Sequence, residues 1–264
     1  MDKQTKSTYL VFEYAEHSLK GILEAKVQLQ LESIKNIIHQ LLQGVAYLHK
    51  NKIIHRDLKS TPDHLFSAAN ILYNNEGVIK IADFGLARQQ IGNMFTTRVV
   101  TLWYRAPELL LGTEYKFIYS GTRQYSSKVD VWALGYAVIS KLDVFLQSFL
   151  AENLYSEVCS HLNVGDTEAR QLEILYSQLG TDLDTEWSEA KTLPLFPDLG
   201  PKRPSQPCLA STLRDKKIDD GSIEFIRSCL TYDPAKRPEA EESLAHPYFL
   251  ARPPPCPNSE FLFV

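Results

Sequence analysis

The 264-residue sequence has no apolar run long enough to cross a bilayer. Its most apolar later stretch, Tyr136 to Leu150, is broken by Lys141 and Asp143 and is shorter than the ~20 residues that a membrane helix needs. The start, Met1-Asp2-Lys3-Gln4-Thr5-Lys6, is polar and lacks the apolar segment of a secretory signal. A soluble, intracellular protein with no membrane partner is the expectation. Cysteine is also scarce. Cys159, Cys208, Cys229 and Cys256 are widely spaced, with no C-x-x-C pair and no histidine at metal-ligand spacing. That pattern argues against a disulfide framework or a zinc site and for free thiols in a reducing compartment. The net charge is only −4 and the basic residues are scattered, so no nucleic-acid surface is expected. No internal repeat is present. The length suits one large domain or two small ones, with ample material for a buried core.

Thr8 to Tyr14 is rich in β-branched and aromatic residues and predicts a strand. Leu31, Ile34, Ile37, Ile38, Leu41, Leu42, Val45 and Leu48 then recur at intervals of three and four, which puts all eight on one face of a core helix. Three short apolar runs follow: Ile53-Ile54, Ile71-Leu72 and Val78 to Ala82. Asn74-Asn75-Glu76-Gly77 predicts a turn between the last two. Beyond Arg105 the pattern is mostly helical, with helices predicted near 126–140, 167–179, 222–230 and 239–245. Residues 192–209 hold five prolines and predict an extended loop. The prolines from Pro253 to Pro257 should stop any helix and leave the tail on the surface. The fold class is mainly α with a few short β-strands.

Three clusters fall at the ends of the short strands. They are His55-Arg56-Asp57-Leu58-Lys59 ahead of Asn70-Ile71-Leu72, then Asp83-Phe84-Gly85, then Ala106-Pro107-Glu108 with Asp130-Val131-Trp132 beyond. A single tripeptide of this kind is weak. In this order and at these spacings the chain resembles the protein kinases. The segment from Thr96 to Gly112, with Thr101-Leu102-Trp103-Tyr104-Arg105-Ala106-Pro107-Glu108 at its centre, is similar to the cyclin-dependent kinases, most of all to their transcription-associated members.

The resemblance implies a serine/threonine kinase that uses ATP and Mg²⁺ on protein substrates with Ser/Thr-Pro sites, in the nucleus or cytoplasm, with a cyclin as partner. Phosphoryl transfer needs an acceptor hydroxyl held in line and positive charge against the developing negative charge. Asp57 matches the residue that accepts the hydroxyl proton. Lys59 matches the cation at the transferring phosphate, and Thr101 matches a bridge toward both. Asn70 and Asp83 offer the hard oxygens that Mg²⁺ prefers. Phe12, Glu13, Tyr14 and Ala15 match the adenine-contacting segment, with Leu72 on the same apolar side. Thr96 matches an activating phosphosite, with Arg56 and Arg88 as its phosphate contacts. Val99, Val100 and Arg105 match a pocket for the proline after the target residue. Glu108 and Arg237 match a buried structural ion pair, and Asp130 matches a support beneath the catalytic loop.

The pattern also breaks. No G-x-G-x-x-G, V-A-I-K or helix glutamate precedes the strand predicted at 8–14, so a truncated kinase fold is expected, chiefly the C-terminal lobe, with the cyclin-binding surface largely missing. Residues 1–17 would be a remnant of N-lobe strand and hinge, 18–250 the C-terminal lobe and 251–264 a Pro-rich tail. Ser18 stands where relatives place an aspartate near the ribose. Ten residues, Ser60 through Ala69, separate Lys59 from Asn70 where relatives have two. A displacement of ~1 Å at such a place can cost about a hundredfold in rate. Surplus stretches at 61–68, 113–121 and within 136–153 read either as translated intron or splice-variant sequence, or as real loops. Two functions stay open: a Ser/Thr-Pro-directed kinase, or a catalytically inactive kinase-like fragment that acts as a binding or scaffold module. Apolar surface around Phe12, Tyr14 and Leu72 should favour association.

Overall fold

The computed structural model describes residues 11–19, 21, 29–56, 58, 70–90, 102–113, 125–147 and 167–258. The predicted core helix forms as α1, Leu31–Lys50. Its apolar face buries Ile34, Ile37, Ile38, Leu41, Leu42, Val45 and Leu48, each worth roughly 1.5–3 kcal/mol when removed from water. Leu31 is only half-buried, whereas Ser33, Lys35 and Asn36 are buried on another face. Periodicity could not foretell that second face, because residues 251–258 cover it.

The strands are short. β1 (His17–Ser18), β3 (Ile71–Tyr73) and β4 (Ile79–Ile81) form one antiparallel sheet in the order β1-β3-β4. β2 (Ile53–Ile54) pairs with β5 (Arg88–Gln89) in a second. The predicted turn closes the β3–β4 hairpin: Asn74 Oδ1 accepts from the Glu76 and Val78 amides at 3.1 and 2.9 Å. Gly77 supplies the left-handed conformation, at φ 75°. The strand predicted at 8–14 is not seen where the chain is described. Val11 to Tyr14 are irregular, and residues 8–10 lie outside the described set. Its β propensity finds no ladder partner there, and Val11, Phe12 and Tyr14 are largely exposed.

Helices predominate after Arg105, as expected. They run α2 (Pro107–Leu110), α3 (Lys128–Gln147), α4 (Glu168–Leu179), α5 (Leu183–Glu186), α6 (Phe196–Leu199), α7 (Leu209–Asp215), α8 (Asp220–Cys229), α9 (Ala240–Leu244) and α10 (Pro247–Leu250). Local chemistry fixes their ends. Thr167 caps α4 by accepting from the Arg170 amide at 3.2 Å, and Asp219 caps α8 by accepting from Ser222 at 2.9 Å. α6 corrects the expectation of an extended loop over 192–209. Pro197 lies in its first turn, where a missing N–H costs nothing.

α3 and α8 cross at Gly135, where a Cβ would lie 2.5 Å from the Cys229 Cβ. Of the surplus stretches, 61–68 lies outside the described residues and only Thr113 of 113–121 is described; α3 runs through the third as far as Gln147. Among the described residues no helix is long and apolar enough to cross a membrane.

Candidate active site

The β3–β4 hairpin carries two of the expected donors. Ile71 faces Ile81, and the Ala82 amide donates to the Asn70 carbonyl at 2.8 Å. Asn70 and Asp83 therefore flank the same end of the hairpin, one entering and one leaving. Asp83 is in the left-handed region, at φ 60° and ψ 74°, a cost that a non-glycine residue sustains only where its surroundings impose it. Its carboxylate is exposed. Among the described residues its one hydrogen-bond partner is the Gly85 amide at 3.2 Å. Among the described residues no three His, Cys, Asp or Glu side chains gather as a metal site.

The stretch before Asp57 is joined to that end directly. His55 is fully buried; its Nε2 lies 3.1 Å from the Ala82 carbonyl, and its ring meets Phe84 edge-on at 5.1 Å. Arg56 Nε donates to the Leu86 carbonyl at 2.8 Å and Nη1 to the Tyr125 hydroxyl at 2.9 Å. The β2–β5 pairing sets Ile54 opposite Arg88. Thus the His55-Arg56 segment and the Asp83-Phe84-Gly85 segment are held side by side. Arg88 is exposed, and its Nη1 donates to the neighbouring Ala87 carbonyl at 2.7 Å.

Asp130, in the first turn of α3, lies under this junction and is 1% exposed. Its Oδ1 accepts from the Arg56 amide and its Oδ2 from the His55 amide, both at 2.9 Å. His49 Nε2 is a third partner, 2.9 Å from Oδ2. A buried carboxylate so bonded fixes the backbone of the loop, including the left-handed Arg56 at φ 64°. Further out, Arg237 and Glu108 meet through two parallel bonds of 2.9 and 3.0 Å, both side chains almost wholly buried. The Arg237 guanidinium also lies over Trp132, 4.9 Å from the ring centre.

On the opposite edge, β1 places Ser18 opposite Leu72. Glu13 reaches Lys80 of β4 at 2.8 Å, an exposed pair of small energetic weight. Phe12 is 74% and Tyr14 78% exposed, so the segment matched to adenine contact presents its rings outward. Arg105 is buried and pairs with Glu168, the first residue of α4, at 2.6 Å. Asp57, Lys59, Thr96, Val99, Val100 and Thr101 lie outside the described residues.

Several contributors carried no signal in the sequence. His49, Tyr125 and Glu168 are separated from their partners by 63 to 81 positions, and only the fold brings them together.

Comparison with known proteins agrees with this geometry. The family profile described as "Protein kinase domain" matches residues 1–249. Cyclin-dependent kinase G-2 of rice (Oryza sativa) is 37% identical over 96% of this chain, which covers 32% of that protein. A probable serine/threonine-protein kinase, the KIN28 homolog of Encephalitozoon cuniculi, is 34% identical, with 96% of this chain and 70% of the relative covered. Rat (Rattus norvegicus) cyclin-dependent kinase 9 is 35% identical, with 94% of this chain and 60% of the relative covered. The solved yeast RNA Pol II CTD kinase CTDK-1 complex contains a chain that superposes at a TM-score of 0.76 and 31% identity, covering 98% of this chain and 76% of that one. This chain thus spans from about a third to 70% of the length of these relatives.

Proposed function

We propose that this chain, which belongs to the protein kinase family and to its cyclin-dependent branch, transfers the γ-phosphate of ATP to serine or threonine followed by proline. One observation carries the reading. A buried carboxylate, Asp130, fixes the backbone of His55 and Arg56 just before Asp57, and His55 in turn meets the Ala82 carbonyl at the hairpin end that bears Asn70 and Asp83.

In this reading Asp57 accepts the proton of the substrate hydroxyl and orients its oxygen. Lys59 stands as a cation toward the transferring phosphate, and Thr101 bridges the two. Asn70 and Asp83 fit a magnesium ion, since both offer hard oxygens and Asp83 spends little of its bonding capacity on the protein. When bound, the ion offsets the negative charge that develops on the phosphoryl group. Phe12 to Ala15 and Leu72 line the adenine side. Thr96, once phosphorylated, is drawn to Arg88 and Arg56. Arg56 already spends two of its donors on Leu86 and Tyr125, so Arg88, exposed, is the freer of the two to move. Val99, Val100 and Arg105 form the proline pocket, with Glu168 fixing the Arg105 guanidinium. The partner is a cyclin and the site of action the nucleus, by analogy with the cyclin-dependent relatives and the CTD kinase complex.

The test is transfer of radiolabelled γ-phosphate to paired peptides with and without proline after the acceptor, using the purified chain with and without a cyclin. Asp57→Asn serves as control. Counts that depend on Asp57 and on the proline are expected. Equal counts from the two chains would assign the residual signal to a contaminant and leave a kinase-like binding module.

A further inference from the structure

The residues after α10 do not simply trail over the surface. Lys35 of α1 is 1% exposed, and its Nζ donates to the Ala251 and Pro253 carbonyls at 3.0 and 2.7 Å, over the Tyr248 ring at 4.8 Å. The Cys256 amide donates to the Glu32 carbonyl at 3.2 Å. Asn36 Nδ2 reaches the Cys256 carbonyl at 2.5 Å and Asn258 Oδ1 at 3.1 Å. The segment 251–258 is thus laid along α1 by part-buried charge-assisted and amide contacts.

Gln40, one turn beyond Asn36, extends this contact to the hairpin. Its Oε1 accepts from the Ile79 amide at 2.9 Å, and its Nε2 lies 3.0 Å from the Gly77 carbonyl. The same Nε2 is 3.1 Å from Asn258 Oδ1 and 2.6 Å from Asn36 Oδ1. One primary amide therefore touches helix, tail, the last residue of the hairpin turn and the first residue of β4. The other end of that hairpin carries Asn70 and Asp83. A hairpin with three-residue strands has little stiffness of its own, so its aim depends on what clamps its turn.

We propose that Gln40 and the 251–258 segment form a positioning strap that sets the aim of the β3–β4 hairpin and so of the Asn70 and Asp83 oxygens. The catalytic part of this inference rests on the function proposed above; the mechanical part does not. Gln40 is a positioning residue, since it touches the turn end of the hairpin and not the end that bears Asn70 and Asp83.

The experiment compares the full chain with Gln40→Ala, Asn258→Ala and Asn258→Asp, the last of which keeps the acceptor that Gln40 and Asn36 use. Amide hydrogen exchange is read at Ile79 and Ala82, and the magnesium concentration for half-maximal phosphate transfer is read in parallel. Loss of such a bond should speed exchange at both amides on the order of tenfold. Asn258→Ala should show the same direction, and Asn258→Asp should restore protection. The magnesium requirement should rise severalfold with Gln40→Ala.

Unchanged exchange at Ala82 in Gln40→Ala would overturn the strap. Faster exchange with an unchanged magnesium requirement would overturn its role in aiming the donors. A parent chain that transfers no phosphate defeats the proposed function instead, and the exchange result still decides the strap.

Discussion

Beneath the loops, Asp130 and Glu108 are carboxylates whose oxygens the protein itself saturates. At the rim, Asp83 is a carboxylate that makes one hydrogen bond among the described residues. Asp130 accepts from two backbone amides and faces His49, while Glu108 takes both arms of Arg237. Asp83 accepts only from Gly85 among the described residues, on a left-handed backbone. All three sit next to sequence clusters of the same apparent importance. The difference is that the buried pair spends its charge on holding loops still, whereas Asp83, among the described residues, bonds only to its own turn, which is what the proposed magnesium role requires.

The largest effect should come from unbalancing the floor. Arg237→Ala leaves the buried Glu108 carboxylate without its counter-ion, and should lower unfolding stability by about 3–5 kcal/mol. Replacing both by apolar residues of similar volume (Glu108→Leu with Arg237→Met) should recover much of that loss. Urea denaturation of the three chains measures it. A drop below about 1 kcal/mol for the single change would mean the pair is not the closed unit that its geometry suggests.

Asp130→Asn should cost less, about 1.5–3 kcal/mol, because one oxygen acceptor survives while an amide donor is turned toward other donors. Its signature is local: amide exchange at His55 and Arg56 should accelerate more than in the α8 core. At the rim, Asp83→Asn should leave stability within about 0.5 kcal/mol of the parent while abolishing the proposed phosphate transfer. If Asp83→Asn destabilised the fold as much as Asp130→Asn, the distinction between spent and unspent carboxylates would fail.

The sequence made the scaffold readable where one physical signal dominated. Intervals of three and four from Leu31 to Leu48 were enough for α1, and Asn74 to Gly77 were enough for the hairpin turn. Val11 to Tyr14 misled because β propensity scores a residue's taste for a pleated surface without knowing whether a neighbour strand exists. Residues 192–209 misled because proline was read as a breaker, when Pro197 occupies a position that tolerates it. Lys35 and Asn36 look like solvated helix residues until the tail, more than 200 positions later, is laid over them. At the candidate site the titratable clusters stand out by residue type and order, and so do Asp130 and the Glu108–Arg237 pair, but the side chains that bond to them and to Arg105 from elsewhere do not. Neither His49 beneath the loop nor Glu168 beside Arg105 belongs to any local pattern.

Buried and exposed positions should also differ, by a smaller margin, in thiol chemistry. Cys229 at the end of α8 is fully buried against Gly135, and burial pushes its pKa up to about 12. Cys208 is exposed at the start of α7, and Cys256 in the strap lies between the two in exposure. Alkylation needs the thiolate and an approach path. At pH 8, iodoacetamide followed by mass spectrometry should therefore modify Cys208 first, Cys256 more slowly and Cys229 only when the chain unfolds.

The raised pKa has a sign that can be checked. Folding holds Cys229 protonated, so its contribution to stability is complete below the thiol range of unfolded chains, near pH 8.5. It is lost progressively as pH climbs toward 12. Cys229→Ala should flatten that part of the alkaline stability profile. Rapid native-state labelling of Cys229 would show that the α3–α8 contact opens readily, and the floor would then be no more rigid than the rim it supports.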